Sequence, residues 1–231
     1  MKAFVSSQIS SAVKRVCGID VLPLEPYDKL DLPVASHADM LVFAFEGTVF
    51  CYNDYYLNNK SIFDEAEKCG YKIICVKSEC DRKYPNDISL NVLKIGDALI
   101  GNLKHTAPEI LRLAEEKCYK LINVKQGYSA CATLVLNDKN AITADPSIYN
   151  ALKLLGVDVL LINPNGIDLE GYNCGFIGGA SFVFENTVYF FGDIKSHPSY
   201  NEIHDKIVAV GMTEKTILSR YVYDFGGIRA I

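Results

Sequence analysis

The feature that most restricts this chain is a recurring order of strand, tight turn, strand, helix and strand, read three times between Leu41 and Ile162. The first copy has an apolar strand Leu41 to Phe45, a Glu46-Gly47 turn, a strand Thr48 to Tyr52, a helix over Ser61 to Cys69 stopped by Gly70, and a strand Tyr71 to Val76. β-rich runs, a glycine turn and a glycine helix stop carry those assignments. The second copy runs from Ile88 to Val124: a strand to Ile95, a Gly96-Asp97 turn, a strand Ala98 to Leu103, a helix Ala107 to Lys117 with Pro108 in its first turn, and Tyr119 to Val124. The third spans Cys131 to Ile162, with a turn at Asn137 to Asn140, a helix from Pro146 through Leu155, Gly156 as its stop, and Val157 to Ile162. Units of like length in tandem are a repeat.

A fourth unit has Ser181 to Phe184, a turn at Glu185-Asn186, Val188 to Phe191, a helix Tyr200 to Ala209 and a weakly marked strand at Thr216 to Leu218. The fifth is split. Its opening strand comes from Tyr221 to Ile231, and its remainder from Ala3 to Ser6, a helix Ser7 to Val16, Gly18, and Ile19 to Leu24. Joining the two ends of the chain closes a ring and removes the exposed edges of an open array. A doubly wound sheet would alternate single strands with helices, whereas here hairpins precede each helix. The expectation is therefore an α/β fold: one domain over residues 1–231, a five-fold pseudo-symmetric β/α propeller of ββαβ units closed by the N- and C-terminal segments. No linker or low-complexity stretch interrupts it.

A net charge of −5 with no block of lysine and arginine lacks the electrostatic footprint of a nucleic-acid or anionic-membrane binder. No apolar run approaches the length of a membrane span, so a cytoplasmic protein with a small-molecule or protein partner is expected. Eight cysteines are read as reduced thiols, because a core of this size needs no staples. Cys69, Cys75 and Cys80 lack the paired spacing of a structural zinc site, and neither a metal nor a cofactor is expected.

In a hairpin the start of the first strand and the end of the second lie side by side, opposite the turn. Around a common axis those ends gather on one face, which would collect His37, Asp39, Asp87, Cys131 and Gly178 to Ser181, with His105, Asp145, Asp193 and His197 from the second strands. Lys125 to Cys131 is a polar, glycine-containing turn that delivers Cys131 to the mouth of an apolar strand and places Gln126 and Tyr128 beside it. A cysteine with a histidine base held by a carboxylate is a nucleophile. Cys131, His37 and Asp39 are the catalytic candidates. Asp87, Gln126, Tyr128, Asp145, Gly178, Gly179, Ser181 and Asp193 are the substrate-binding candidates.

Each has a plainer reading. Cys131 is also a small hydrophobe of a buried strand, and His37 a turn histidine bonded to backbone. Asp39 and Asp145 are also local caps, and Asp193 and His197 also shape the entry to a helix near Pro198. Gly175 to Gly179 is not followed by the Lys-Ser or Lys-Thr and helix of a phosphate loop, so its glycines are read as permitting close backbone packing.

The chain resembles the pentein superfamily, the guanidino-group-modifying enzyme fold, whose members carry five ββαβ units around a catalytic channel. The resemblance is greatest to an uncharacterised clostridial-type branch, and hence to bacterial proteins. It rests on Ser36-His37-Ala38-Asp39-Met40, Lys125-Gln126-Gly127-Tyr128 with Cys131, Gly175-Phe176-Ile177-Gly178-Gly179-Ala180, and Gly192-Asp193 followed by His197-Pro198. In the hydrolases of that fold a Gly-Gly-Asp clamps substrate, a His-x-Asp moves protons and a late cysteine attacks. Gly178-Gly179-Ala180, His37-Ala38-Asp39 and Cys131 match them in cyclic order. Ala180 replaces the guanidinium-pairing aspartate, which argues against arginine-like substrates. His197 is set aside as a site residue because Ser199 stands where an aspartate is expected.

The resemblance implies a hydrolase or transferase acting on an amidine-like or amide-like small molecule in a central channel. In it Cys131 attacks, His37 carries the proton and Asp39 orients it. The alternative is a non-catalytic pentein that binds a small molecule or a protein. Substrate and oligomeric state are left open. The enzyme reading further expects an acidified Cys131 that iodoacetamide alkylates first near pH 6.

Overall fold

A computed structural model of the chain describes residues 1–231. In chain order its elements are β1 (Lys2–Ser6), α1 (Ser10–Cys17), β2 (Asp20–Leu24), α2 (Ala38–Leu41), β3 (Val42–Phe45), β4 (Thr48–Tyr52), α3 (Asn53–Asn58), α4 (Lys60–Lys68) and β5 (Lys72–Val76). They continue with β6 (Leu93–Ile95), β7 (Ala98–Gly101), α5 (Pro108–Glu116), β8 (Lys120–Asn123), β9 (Thr133–Asn137), β10 (Asn140–Thr143), α6 (Pro146–Leu154) and β11 (Asp158–Leu161). The last are β12 (Ser181–Phe184), β13 (Thr187–Phe190), α7 (Tyr200–Ala209), β14 (Thr213–Thr216) and β15 (Ile228–Ala230).

These strands form five three-stranded sheets: β15-β1-β2, β3-β4-β5, β6-β7-β8, β9-β10-β11 and β12-β13-β14. In each, an antiparallel pair adds a parallel third strand through a helical crossover, as Val42↔Cys51 and Cys51↔Cys75 show for the sheet of β3, β4 and β5. That is the ββαβ unit of the sequence pattern, and the unit split between the chain ends closes as expected. β1 pairs antiparallel with β15, and Lys2 and Ile231 exchange backbone hydrogen bonds of 3.1 and 2.8 Å.

The turns carry their own chemistry. Glu46 and Gly47, at φ 49° and 69°, make the two-residue turn whose doubly positive φ matches the twist of the flanking strands. Helix faces supply the outer half of the core: Phe63 and Ala66 of α4, Ile110 and Ala114 of α5, and Ile203 and Ile207 of α7 are all buried.

The five first strands, β3, β6, β9, β12 and β15, surround the pseudo-symmetry axis. Phe43, Leu93, Leu134, Phe182 and Ile228, one from each, line a common opening. Around that axis the interior is polar. His37, Asp39, Asp87, Asn91, Ser129, Thr133, Ser181 and Asp224 are all buried, and all but Thr133 and Ser181 precede an inner strand.

Three boundaries depart from the sequence reading, each for a local reason. β6 is only Leu93–Ile95, not a strand from Ile88, because Asn91 is spent on contacts across the axis. β15 is Ile228–Ala230, not a strand from Tyr221, because Gly226 and Gly227 take φ of 79° and 60° and break the extended run. β14 is Thr213–Thr216, registered on β13, rather than Thr216 to Leu218.

Candidate active site

A cavity of about 240 Å³ opens where the segments leading into the five inner strands converge. His37 and Met40 reach it from before β3, Asp87 from before β6, Tyr128 and Cys131 from before β9, Phe176 from before β12, and Asp224 from before β15. Segment 169–174 supplies Tyr172 at its mouth, where the phenol donates to Asp31 Oδ2 at 3.1 Å. The lining is mostly apolar, and His37, Asp87, Cys131 and Asp224 are its buried titratable groups.

Backbone approach across the axis sets this geometry. Gly179 N–H donates to the Cys131 carbonyl at 3.0 Å, and Phe225 and Gly227 N–H groups donate to the Gly179 carbonyl at 3.1 and 2.8 Å. A Cβ at Gly178 would stand 2.4 to 2.7 Å from the carbonyl oxygens of Thr133, Ala130 and Cys131, and one at Gly179 would fall 2.0 Å from Asp224 Oδ1. Both positions hold glycine because nothing larger fits.

Cys131 is 4% exposed. Its Sγ accepts a 2.9 Å hydrogen bond from Asn91 Nδ2, while Asn91 Oδ1 accepts from the N–H groups of Ala130 and Cys131 at 2.9 and 3.3 Å. Burial holds the thiol well above its ordinary pKa, the Asp39 and Asp224 carboxylates push it further, and the Asn91 bond opposes them. The resting thiol is neutral. That overturns the expectation of an acidified cysteine labelled first near pH 6: the charges facing the sulfur are negative, and it is shielded from solvent.

His37 Nδ1 lies 3.7 Å from Asp224 Oδ1, and both side chains are buried. Asp224 accepts from Phe176 N–H and Gly226 N–H at 2.9 Å each. Burial raises its carboxyl pKa to about 6, with the Asp39 charge adding and the His37 charge opposing. Asp39 is fully buried and, unlike His37 and Cys131, does not line the cavity. Neither of its oxygens has a hydrogen-bond partner, and the nearest cation is Arg229, Nη2 to Oδ2 4.0 Å. The carboxylate beside the imidazole is thus Asp224, while Asp39 faces the thiol and Arg229. His37 is the N-cap of α2 and Asp39 lies in its first turn.

Asp87 completes the acidic set. The Tyr128 hydroxyl donates to its Oδ2 at 2.6 Å, its Oδ1 is buried without a partner, and burial raises its pKa.

The remaining candidates lie off the cavity. Asp145 caps α6, accepting from Ser147 and Ile148 N–H at 2.8 and 2.9 Å, and Gln126 donates to it at 3.0 Å. Asp193 accepts from Lys195 N–H at 3.1 Å next to Tyr221. Ser181 donates to the Ile177 carbonyl and lines the other axial opening with Gly178. Each is consumed by local structure. Ala180, fully buried, is off the cavity too.

Asn91, Asp224 and Arg229 were not singled out from sequence. Asp224-Phe225-Gly226-Gly227 sits just before an inner strand, as Ile177-Gly178-Gly179-Ala180 does, which was the available signal.

Residues 3–229 match the model of DUF6873, described as a family of unknown function. The chain belongs to that family. No curated protein matches it by sequence. Among solved structures it superposes on DDAH from Pseudomonas aeruginosa, a cysteine-to-serine variant complexed with citrulline, with a TM-score of 0.60 at 11% identity over 93% of this chain and 91% of that one. Agmatine deiminase from C. jejuni with substrate bound gives 0.57 at 12% identity over 94% and 87%. The inosamine-phosphate amidinotransferase of Streptomyces griseus gives 0.56 at 10% over 95% and 75%. All three are penteins, and the DUF6873 chain has the pentein fold. No helix in it is long and apolar enough to cross a membrane.

Proposed function

We propose that this DUF6873 protein is a cysteine-dependent hydrolase or transferase acting on a small amidinium- or guanidinium-bearing molecule. One observation carries the reading: a buried thiol and an imidazole share a cavity with the carboxyl groups of Asp87 and Asp224, neither of which is paired with a lysine or arginine. Asp87 has no hydrogen-bond partner on Oδ1, and Asp39, which faces the thiol without lining the cavity, has none on either oxygen. Buried charge of that kind is stable only when a counterpart arrives. A planar cation fits that need better than a neutral amide, so the argument from Ala180 loses force. Asp87 and Asp224, from other segments, line the cavity instead.

A cationic substrate also removes the obstacle to attack. Its positive charge beside Sγ offsets Asp39 and Asp224 and lowers the thiol pKa toward the working range. Cys131 passes its proton to His37 as the Sγ–C bond forms, and Asp224 stabilises the imidazolium. His37 returns the proton to the departing nitrogen as the C–N bond breaks, leaving an S-amidino cysteine. Water or an acceptor amine, deprotonated by His37, then attacks that carbon, and the C–S bond breaks to restore the thiol. Water makes the protein a hydrolase and an amine makes it a transferase. The orienting role expected for Asp39 passes to Asp224.

The superposed DDAH, agmatine deiminase and amidinotransferase support the reading through a shared fold. The second reading, a non-catalytic binding module, is favoured by the raised, shielded thiol.

A matched pair of alkylating reagents separates the two: neutral chloroacetamide and cationic 2-chloroacetamidine, which carry the same leaving group. With chloroacetamide, the exposed Cys69 and Cys118 label before Cys131. With chloroacetamidine, Cys131 labels first, at least tenfold faster than the other seven cysteines, and His37→Ala removes the preference. If both reagents pass over Cys131, the site binds and does not react.

A further inference from the structure

Along the same five strands, toward their hairpin turns, lies a second axial cavity of about 270 Å³ that shares no residue with the first. Phe43, Leu93, Val135, Phe182 and Ile228, one from each inner strand, give it apolar walls. Its charged groups are Lys94 of β6 and Arg229 of β15, and no acidic residue lines it. Two polar groups there are unspent. Thr133 is 4% exposed with a hydroxyl that has no partner, and Arg229 Nη2 is buried with none.

The guanidinium is only partly committed elsewhere. Its Nη1 donates to the Ile228 carbonyl at 2.9 Å, and Nη2 stands 4.0 Å from Asp39, beyond hydrogen-bond reach. Nη2 is the one guanidinium nitrogen buried without a hydrogen-bond acceptor. Nearly all buried polar groups in folded proteins are satisfied, so an unpartnered Thr133 hydroxyl beside two cations in the lining of one apolar opening indicates a guest.

We propose that this second cavity binds a small monocarboxylate carrying an apolar body. Its carboxylate is held by Arg229, Lys94 and the Thr133 hydroxyl, and its hydrocarbon part lies against Phe43, Phe182 and Val135. The planar carboxylate matches the guanidinium fork, and apolar walls disfavour a fully hydrated anion. Two cations without an acid exclude a cationic guest, which assigns opposite ligand charges to the two ends of the axis. The site stands independently of the chemistry assigned to Cys131.

Benzoate and inorganic phosphate are the probes, titrated into the full-length protein and followed by ligand-observed NMR and calorimetry. Benzoate binds with 1:1 stoichiometry and phosphate binds at least tenfold more weakly. Lys94→Ala, an exposed position that leaves the fold intact, weakens benzoate about tenfold, and Thr133→Val weakens it several-fold. Arg229→Lys, a variant whose folding is checked by its melting temperature, loses the fork and most of the affinity. If phosphate binds as well as benzoate, the cavity is a generic anion patch and the proposal fails. If neither binds, or if Lys94→Ala leaves benzoate affinity unchanged, it fails as well.

Discussion

Asn91 is the residue whose removal is most informative. Its one amide spans the axis: Oδ1 accepts from Ala130 and Cys131 N–H at 2.9 and 3.3 Å, and Nδ2 donates to the Asp39 carbonyl at 3.1 Å and to Cys131 Sγ at 2.9 Å. The side chain is 1% exposed, so bulk water does not take over these partners. Asn91→Ala orphans two buried N–H groups and a carbonyl, each costing about 1–3 kcal/mol, and a total of about 4 kcal/mol follows when partial relaxation is allowed. For a chain of this length that lowers the melting temperature by about 8–16 °C. Circular dichroism melts of wild type, Asn91→Ala and the exposed control Asn201→Ala measure it, with the control expected within about 0.5 kcal/mol of wild type. Asn91→Asp keeps the acceptor for both N–H groups but exchanges the donor to sulfur for a carboxyl. It should melt above Asn91→Ala while losing Cys131 labelling by chloroacetamidine. A drop under 3 °C for Asn91→Ala would refute the claim that this amide ties the units together.

Gly226 takes φ 79°, and a Cβ there would sit 2.3 Å from His37 Cβ. Gly226→Ala therefore displaces His37, costs about 1–2 kcal/mol from the backbone alone, and abolishes the Cys131 preference for chloroacetamidine; unchanged labelling would show that His37 is not held as described. Asp224 titrates with a defined sign. Its carboxyl is raised in the folded state, so its contribution to stability is full below its ordinary value of 3.8 and is lost as pH rises through about 6. That interval corresponds to about 3 kcal/mol, so the melting temperature of wild type should fall relative to Asp224→Asn between pH 4 and pH 7. Parallel curves for the two proteins would mean that burial does not hold the proton.

The architecture was legible because it is written in local periodicity. Hairpin turns such as Glu46-Gly47 and helix stops such as Gly70 fix each ββαβ unit within a few residues, and repetition then fixes the ring. The site was legible only in part. Of the candidates, His37, Asp87, Tyr128 and Cys131 line one cavity, because topology alone brings the entries of the inner strands together. Asp145 and Asp193 cap helical turns away from the cavity, and a carboxylate before a helical turn has the same sequence signature whether it caps or catalyses. Asp224 was missed because the last strand was extended through it, and only the left-handed glycines Gly226 and Gly227 reveal where that strand starts. The direction of the Cys131 shift lay beyond the sequence, because it depends on which charges face the sulfur and how much water reaches it.

The split sheet orders events during synthesis. β15 and Asp224 lie within the final eight residues of a 231-residue chain, yet β1, their partner sheet's central strand, is made first. A nascent chain can assemble the sheets of β3 to β14 while β1 still lacks its inner neighbour and His37 the Asp224 carboxylate. His37 and Asp224 therefore meet only once β15 has closed the ring, and a chain cut before Asp224 keeps four of its five sheets without that pair.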